Sequence, residues 1–245
     1  MEFVANTDVG KKRKNNEDSF FAKCYNDDIS LYIVADGLGG YEGGEYASKM
    51  LVDSISSYIE TNLERLPKLN ENNIKNILNV SLNMANKKIY DLEKTDEKYK
   101  GMGTTIVLIL KVCSTIYYMS VGDSRMYYIL KDFSSIRQIT VDDTYVNELI
   151  RTKVITEKEA VNHPQKHVLT KAVGILKNIT TNVKIFDNDA GYLLLCSDGV
   201  SNMLKEEEIL SIFSKNDFCK IADKIIQKAN AKGGIDNITA IAIKL

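Results

Sequence analysis

The 245-residue chain has no tryptophan, only two histidines and only two prolines. His163 and His167, together with cysteines that stand singly, leave too few ligands for a zinc cage. The four cysteines, Cys24, Cys113, Cys196 and Cys219, contain no Cys-x-x-Cys pair. Scattered thiols of this kind suit a reduced, cytoplasmic protein and argue against a disulfide framework. Cys196 and Cys219 fall in apolar periodic runs and are expected in the core, as are Tyr46, Met50 and Met84. No run of 18 apolar residues exists, so no membrane span is expected. The opening MEFVANTDVG lacks the basic and apolar regions of a signal peptide. Neither sign of charge dominates. Lys and Arg number 32 against 33 Asp and Glu, and a net charge of -1 does not suit a general nucleic-acid binder. Fixed-period repeats, low-complexity tracts and linkers are also missing, so residues 1–245 read as one domain, expected to act as a monomer.

What is present is a chain with 44% hydrophobic residues, enough for a sizeable core. Runs rich in β-branched and aromatic residues predict strands at 31–35, 104–112, 115–121, 126–130, 192–196 and 238–243, with a short one at 20–22. The tract Gly122-Asp123-Ser124-Arg125 reads as the turn of a hairpin joining 115–121 to 126–130. Helical spacing appears from Ala47 to Ile59, from Ile74 to Leu92 after a start near Asn70, and from Phe218 to Ala229 with a stop near Gly233. Thr156 and Glu159 have capping-box spacing. Strands both precede and follow the long helices, without strict βαβ alternation. That order predicts an antiparallel core flanked by helices.

The acidic residues fall at the ends of these elements. Asp36 and Asp198 each follow an apolar strand and precede a glycine. Asp236 precedes a strand, Asp123 sits in the turn, and Glu17-Asp18 comes just before Phe20-Phe21-Ala22. A strand end fixes a side chain better than a mobile loop, and a neighbouring glycine allows close approach. If these ends meet, five or six like charges share a small volume and need neutralising. Divalent cations would do so, and all-oxygen ligands select hard ions such as Mg²⁺ or Mn²⁺. Any one Asp-Gly pair is also a common turn, and Lys11-Lys12-Arg13-Lys14 is also a plausible solvated charge run.

Five segments, taken in order, resemble the metal-dependent protein serine/threonine phosphatases of the PPM (PP2C-like) class, most closely the compact bacterial type. They are Thr7-Asp8-Val9-Gly10 through Arg13 to Glu17-Asp18-Ser19; Val34-Ala35-Asp36-Gly37-Leu38-Gly39-Gly40 with Gly43-Gly44-Glu45; Gly101-Met102-Gly103-Thr104-Thr105; Val121-Gly122-Asp123-Ser124-Arg125; and Ser197-Asp198-Gly199 with Gly233-Gly234-Ile235-Asp236-Asn237-Ile238-Thr239. The resemblance implies an α+β fold, a four-layer α/β/β/α sandwich of two antiparallel sheets flanked by helices. It implies that Asp36 bridges two ions, Mn²⁺ or Mg²⁺. Asp198 and Asp236 would hold the first. Asp18, the Gly37 carbonyl and Glu17 through water would hold the second. Asp123 would help to bind a third, weaker ion. Arg13 would grip the substrate phosphate, and Asp36 and Arg13 would carry catalysis. A water shared by two ions about 3.5–4 Å apart would attack phosphorus. Substrates would be phosphoserine and phosphothreonine proteins, and the opposing partner a bacterial Ser/Thr kinase.

The chain departs from the pattern at Leu38 and Tyr41, where relatives often carry histidine, and at Asp142-Asp143-Thr144, where Asp-His-Ser/Thr is usual. That segment opens a variable flap, about 142–165, which helps to shape substrate choice. His163 is expected to make a structural hydrogen bond, and His167 has no assigned role. A cysteine-based phosphatase would need Arg six residues after a cysteine, where Ser30, Met119, Asn202 and Ile225 stand. No Gly-x4-Gly-Lys-Ser/Thr loop exists. The rival from another class is a catalytically inactive regulatory or phosphoprotein-binding module. Its mark would be loss of Arg13 or of a metal aspartate, and all are present.

Overall fold

Period-two alternation along the strands sorts the apolar side chains into layers. The structure, a computed structural model, describes residues 1–39, 43–187 and 190–245. Gly40 of the second motif, and Tyr41 after it, lie outside them. One sheet contains β1 (Glu2–Asp8), β11 (Ile238–Lys244), β10 (Tyr192–Cys196), β7 (Arg125–Ile129) and β8 (Ile136–Gln138), in that spatial order. The other contains β2 (Asp18–Cys24), β3 (Ile29–Leu38), β5 (Ile106–Val112), β6 (Thr115–Val121) and β9 (Lys184–Phe186), with β4 (Gly103–Thr104) paired to the end of β3. The strand pairings are antiparallel.

Tyr32 and Val34 of β3, Val107 and Ile109 of β5, Leu193 and Leu195 of β10, and Ile241 and Ile243 of β11 fill the seam between the sheets. Their strand neighbours Leu31, Ile33 and Leu108 face outward instead. They pack under α1 (Gly43–Glu60) and α2 (Glu71–Thr95). On the opposite outer face, Leu194, Ala240 and Ala242 pack under α5 (Asp198–Ser201), α6 (Glu206–Lys215) and α7 (Ile221–Ala231). The result is the expected four-layer α/β/β/α sandwich. Each fully buried Leu or Ile in these layers contributes roughly 1.5–3 kcal/mol of transfer free energy. No helix among the described residues is long and apolar enough to cross a membrane.

Helix starts follow their capping residues. Asn70 accepts the N–H of Asn73 to open α2. After α3 (Tyr145–Arg151), Thr156 and Glu159 form the expected capping box that opens α4 (Glu157–Val161).

The expected hairpin at Gly122 is not one. β6 and β7 belong to different sheets, and Gly122-Asp123-Ser124 carries the chain across the seam. The hairpin lies one connection earlier, where β5 and β6 pair around the two-residue turn Cys113-Ser114, with Cys113 at φ 53°. A two-residue turn with positive φ matches strand twist, so it closes a hairpin locally. The 104–112 run is split at Thr105, whose N–H bonds the Asp36 carbonyl, so β4 and β5 follow β3 separately. Cys219, Tyr46 and Met84 are exposed, contrary to expectation. Cys219 falls in a tight turn before α7, outside its periodic face. Tyr46 stacks on Tyr99 at 4.9 Å, a surface contact that periodicity does not distinguish from a core position.

Candidate metal centre

At one end of the seam, the strands continue their alternation but change chemistry. After Tyr32 and Val34 on β3, the next seam-facing residue is Asp36. On β2 the series Ala22, Phe20 continues to Asp18. On the facing sheet, Leu193 and Leu195 lead to Ser197. Ile243 and Ile241 lead to Thr239, and Phe3 and Ala5 lead to Thr7. Asp36 therefore lies inside β3, two residues before its end, and not after a shorter strand. Asp18 is likewise the first residue of β2.

Asp18 and Asp36 are direct cross-strand partners. Like charges in that relation repel, and here both sit in the seam. Asp18 is 6% exposed. Burial, together with Asp198 and Asp236, pushes its carboxyl up to about 7, against the pull of the Ser197 hydrogen bond and the neighbouring Thr239 hydroxyl. Asp36 is partly exposed as a residue, yet desolvation of its carboxyl and the charges of Asp18, Asp198, Asp123 and Asp236 push it well above the carboxylate range. Asp198 opens α5. It is raised by burial and by Asp236, and lowered in part by a hydrogen bond shared with Asp36. Asp123 is pushed up to about 7 by burial and by Asp198 and Asp142. The five aspartates singled out from sequence thus act on one another in one small volume.

The remaining candidates sit at the rim. Arg13 Nη2 donates to Asp236 Oδ2 at 2.8 Å, so the guanidinium expected to grip phosphate is here paired with a carboxylate of the centre. Glu17 is raised by burial, countered by Arg13. Its carboxylate lies against Gly44 at the start of α1, and its carbonyl accepts the Gly37 N–H. A Cβ on Gly37 would stand 2.1 Å from the Gly44 carbonyl oxygen, so only glycine lets α1 approach β3 here.

Several residues that hold the centre together were given no role from sequence. Asn237 Nδ2 donates to the carbonyls of Val9 and Asn15, and its Oδ1 accepts the Glu17 N–H. One buried amide thereby fixes the loop that carries Arg13 and Glu17. Ser197 Oγ donates to Asp18 Oδ2 at 2.6 Å. Thr105 Oγ1 accepts the Asp36 N–H at 2.9 Å. In the sequence their only mark is membership of the motifs, with Ser197 and Asn237 each beside an aspartate and Thr105 beside none.

Of the two histidines, His163 is local to the flap, where its Nδ1 accepts the Gln165 N–H. His167 is the one near enough for its charge to act on Asp198. The flap is anchored by a near-buried ion pair in which Arg125 donates to both Asp142 oxygens at 2.7–3.1 Å. A groove of about 810 Å³ runs between α3 and the C-terminal half of β6, with Asp142 and Asp143 at its side.

The donor set fits hard divalent cations. It is all oxygen, and Asp18 Oδ1 and Asp198 Oδ1 are buried without a hydrogen-bond partner. Among the described residues, no three His, Cys, Asp or Glu side chains form a closed metal cage. Ions that keep several waters are commonly held by one or two carboxylates each and do not need one.

Comparison with known proteins identifies the family and the fold. The profile described as Protein phosphatase 2C matches residues 10–238. The chain is 36% identical over 240 residues to the serine/threonine phosphatase stp of Listeria welshimeri, covering 97% of this chain and 93% of the relative. It superposes on the serine/threonine phosphatase of S. agalactiae with a TM-score of 0.89 and 33% identity, over 100% of this chain and 99% of that one. The catalytic domain of the serine/threonine phosphatase PstP, solved with two manganese ions, matches at a TM-score of 0.82 and 28% identity, over 98% and 96% of the two chains. From the ordered carboxylates, the sandwich and these matches together, the chain belongs to the protein phosphatase 2C family.

Proposed function

We propose that this chain is a protein serine/threonine phosphatase that hydrolyses phosphoserine and phosphothreonine at a pair of divalent cations, Mn²⁺ or Mg²⁺. The observation that carries the reading is the Asp18–Asp36 cross-strand pair, met from the facing sheet by Asp198, with two carboxylate oxygens left buried and unpartnered. Such a cluster is costly for a fold and useful to a cation site. In this reading Asp36 would serve both ions. Asp198 and Asp236 would hold one of them, and Asp18, the Gly37 carbonyl and Glu17 through water the other. Asp123 contributes to a weaker third. When bound, the cations neutralise the carboxylates and acidify a water for attack on phosphorus.

The chain's own groups do the rest. Arg13, on a loop fixed by Asn237, can present a planar fork to two phosphate oxygens once it leaves Asp236. The Asp18 and Asp36 carboxylates are held by a strand ladder, so the centre is preorganised. The groove beside the flap offers room for residues flanking the phosphorylated side chain. Substrates are phosphorylated proteins, the opposing partner is a Ser/Thr kinase of the same cytoplasm, and the working unit is a monomer of one domain, 1–245.

The test is hydrolysis of a phosphothreonine peptide in EDTA, Mg²⁺ or Mn²⁺, alongside Asp198→Asn. Turnover restored by metal in the wild type and absent in the variant is the expected result. A folded wild type that is inert with every metal would move the reading to the regulatory module.

A further inference from the structure

Ser197 occupies a helix N-cap position without acting as a cap. It precedes α5 with φ -76° and ψ 171°, the extended conformation of a capping residue, yet its side chain accepts no helix N–H. Serine is favoured at such positions because its oxygen normally accepts from the second or third helical residue. Here the hydroxyl is engaged elsewhere. It accepts the Thr239 N–H at 3.0 Å and lies 2.6 Å from Asp18 Oδ2. A backbone N–H can only donate, so the single hydroxyl proton is left for Asp18.

This bond crosses the seam. Ser197 follows β10 in one sheet, and Asp18 begins β2 in the other. Ser197 is 0% exposed, so no water competes for the contact. The other Asp18 oxygen, Oδ1, is buried and has no partner. A local rule broken at one residue, next to an unsatisfied carboxylate, is the pattern expected where function overrides capping.

We infer that Ser197 is a positioning residue for cation binding: its hydroxyl holds Asp18 Oδ2 as an acceptor and leaves Oδ1 as the oxygen open to the ion. The inference rests on the divalent-cation reading above. Without the hydroxyl, Asp18 Oδ2 loses its 2.6 Å hydrogen bond, and the Thr239 N–H loses its side-chain acceptor. Outer-shell partners of this kind change metal affinity by about 10–100-fold when removed.

The experiment is calorimetric titration of Mn²⁺ into metal-stripped wild type, Ser197→Ala and Ser197→Thr, with kcat and KM for a phosphothreonine peptide at saturating Mn²⁺. Ser197→Ala should weaken the Asp18-dependent Mn²⁺ step by about tenfold or more. Ser197→Thr, which keeps the hydroxyl, should bind within about threefold of wild type, and peptide KM should be unchanged in both. If Ser197→Ala melts below the assay temperature, Ser197→Cys takes its place. Cysteine is a poor donor of similar size and should behave like alanine. Wild-type Mn²⁺ affinity in the Ala or Cys variant would overturn the inference, and so would a Thr variant that folds but binds as weakly as Ala. A wild type that binds no Mn²⁺ removes the cation reading itself, a result distinct from equal binding by all variants.

Discussion

Replacing Asp18 with asparagine should stabilise the metal-free protein while destroying its response to metal. The carboxyl is pushed from an ordinary 3.8 up to about 7, mainly by burial. Keeping it ionised in the native state then costs on the order of 4 kcal/mol. Asparagine has nearly the same shape and carries no charge. Its carbonyl can accept the Ser197 hydroxyl, and its amide can donate toward Asp36 across the strand pair. Part of the 4 kcal/mol is offset by relaxation in the wild type, so the gain expected at pH 8 in EDTA is about 2–4 kcal/mol. For a chain of this size that raises Tm by about 5–10 °C.

The pH dependence identifies the cause. A carboxyl whose native value is raised binds its proton more tightly folded than unfolded. Wild-type stability should therefore fall as pH rises from about 4 to about 7 and level off above that. Asp18→Asn lacks Asp18's share of this slope while keeping those of Asp36, Asp123 and Asp198, so the gap between the two should close toward pH 4. Mn²⁺ should then reverse the order at pH 8, since an ion at about 1,000 times its Kd adds about 4.1 kcal/mol to the protein that binds it. Far-UV circular dichroism melts suit the test, because no tryptophan is available for fluorescence. An Asp18→Asn variant that is less stable than wild type in EDTA at pH 8 would refute the reasoning. A gap independent of pH would do the same.

Gly199→Ala should cost about 3 kcal/mol or more, because its Cβ would stand 1.9 Å from the Asn237 carbonyl oxygen and force α5 away from the Asp236 loop; a melt within 2 °C of wild type would contradict that packing. Asp123→Ala should leave Mn²⁺ binding at the tight sites within about threefold, while turnover falls about tenfold; loss of tight binding on calorimetry would place Asp123 among the primary ligands. Arg13→Ala should raise peptide KM by about tenfold with a smaller change in kcat, since it removes ground-state phosphate binding; an unchanged KM would return Arg13 to the surface charge run.

Much of the centre was legible because a short residue pattern encodes it locally. An apolar alternation that ends in Asp-Gly marks a strand whose last seam position is charged, and Asp36 can be read that way without a structure. The long helices were equally readable, since Asn70 and the spacing from Ile74 to Leu92 carry their own signal. What could not be read is non-local. β1 pairs with β11, Glu2 opposite Lys244, and nothing in EFVANTD specifies a partner at the far end of the chain. β8 and β9 are three residues each, too short for a period to show. The turn at Gly122 reads like a hairpin because changing sheets is decided by packing on both faces. Ser197 stands in a motif without a legible task, because its contact depends on Asp18 arriving from the other sheet.

The metal-free centre balances its charge in two ways, and the difference bears on how substrate binds. At Asp18 and Asp36 burial and the neighbouring carboxylates dominate, and at Asp198 and Asp123 they outweigh the opposing pull of His167, Arg13 and Arg125, so raised proton affinity carries the compensation. Asp236 lies at the rim, and there Arg13 supplies the positive charge at 2.8 Å. Arg13 is about half exposed in that pair, so the contact is weak and exchangeable, as surface ion pairs are. A phosphate with two anionic oxygens offers the same guanidinium a bidentate partner, which a single Asp236 oxygen does not match. Any positive charge that takes over Asp236 also frees Arg13 for phosphate. The residue that looked like part of a basic surface run is therefore the link between the carboxylate centre and the phosphate it is proposed to bind.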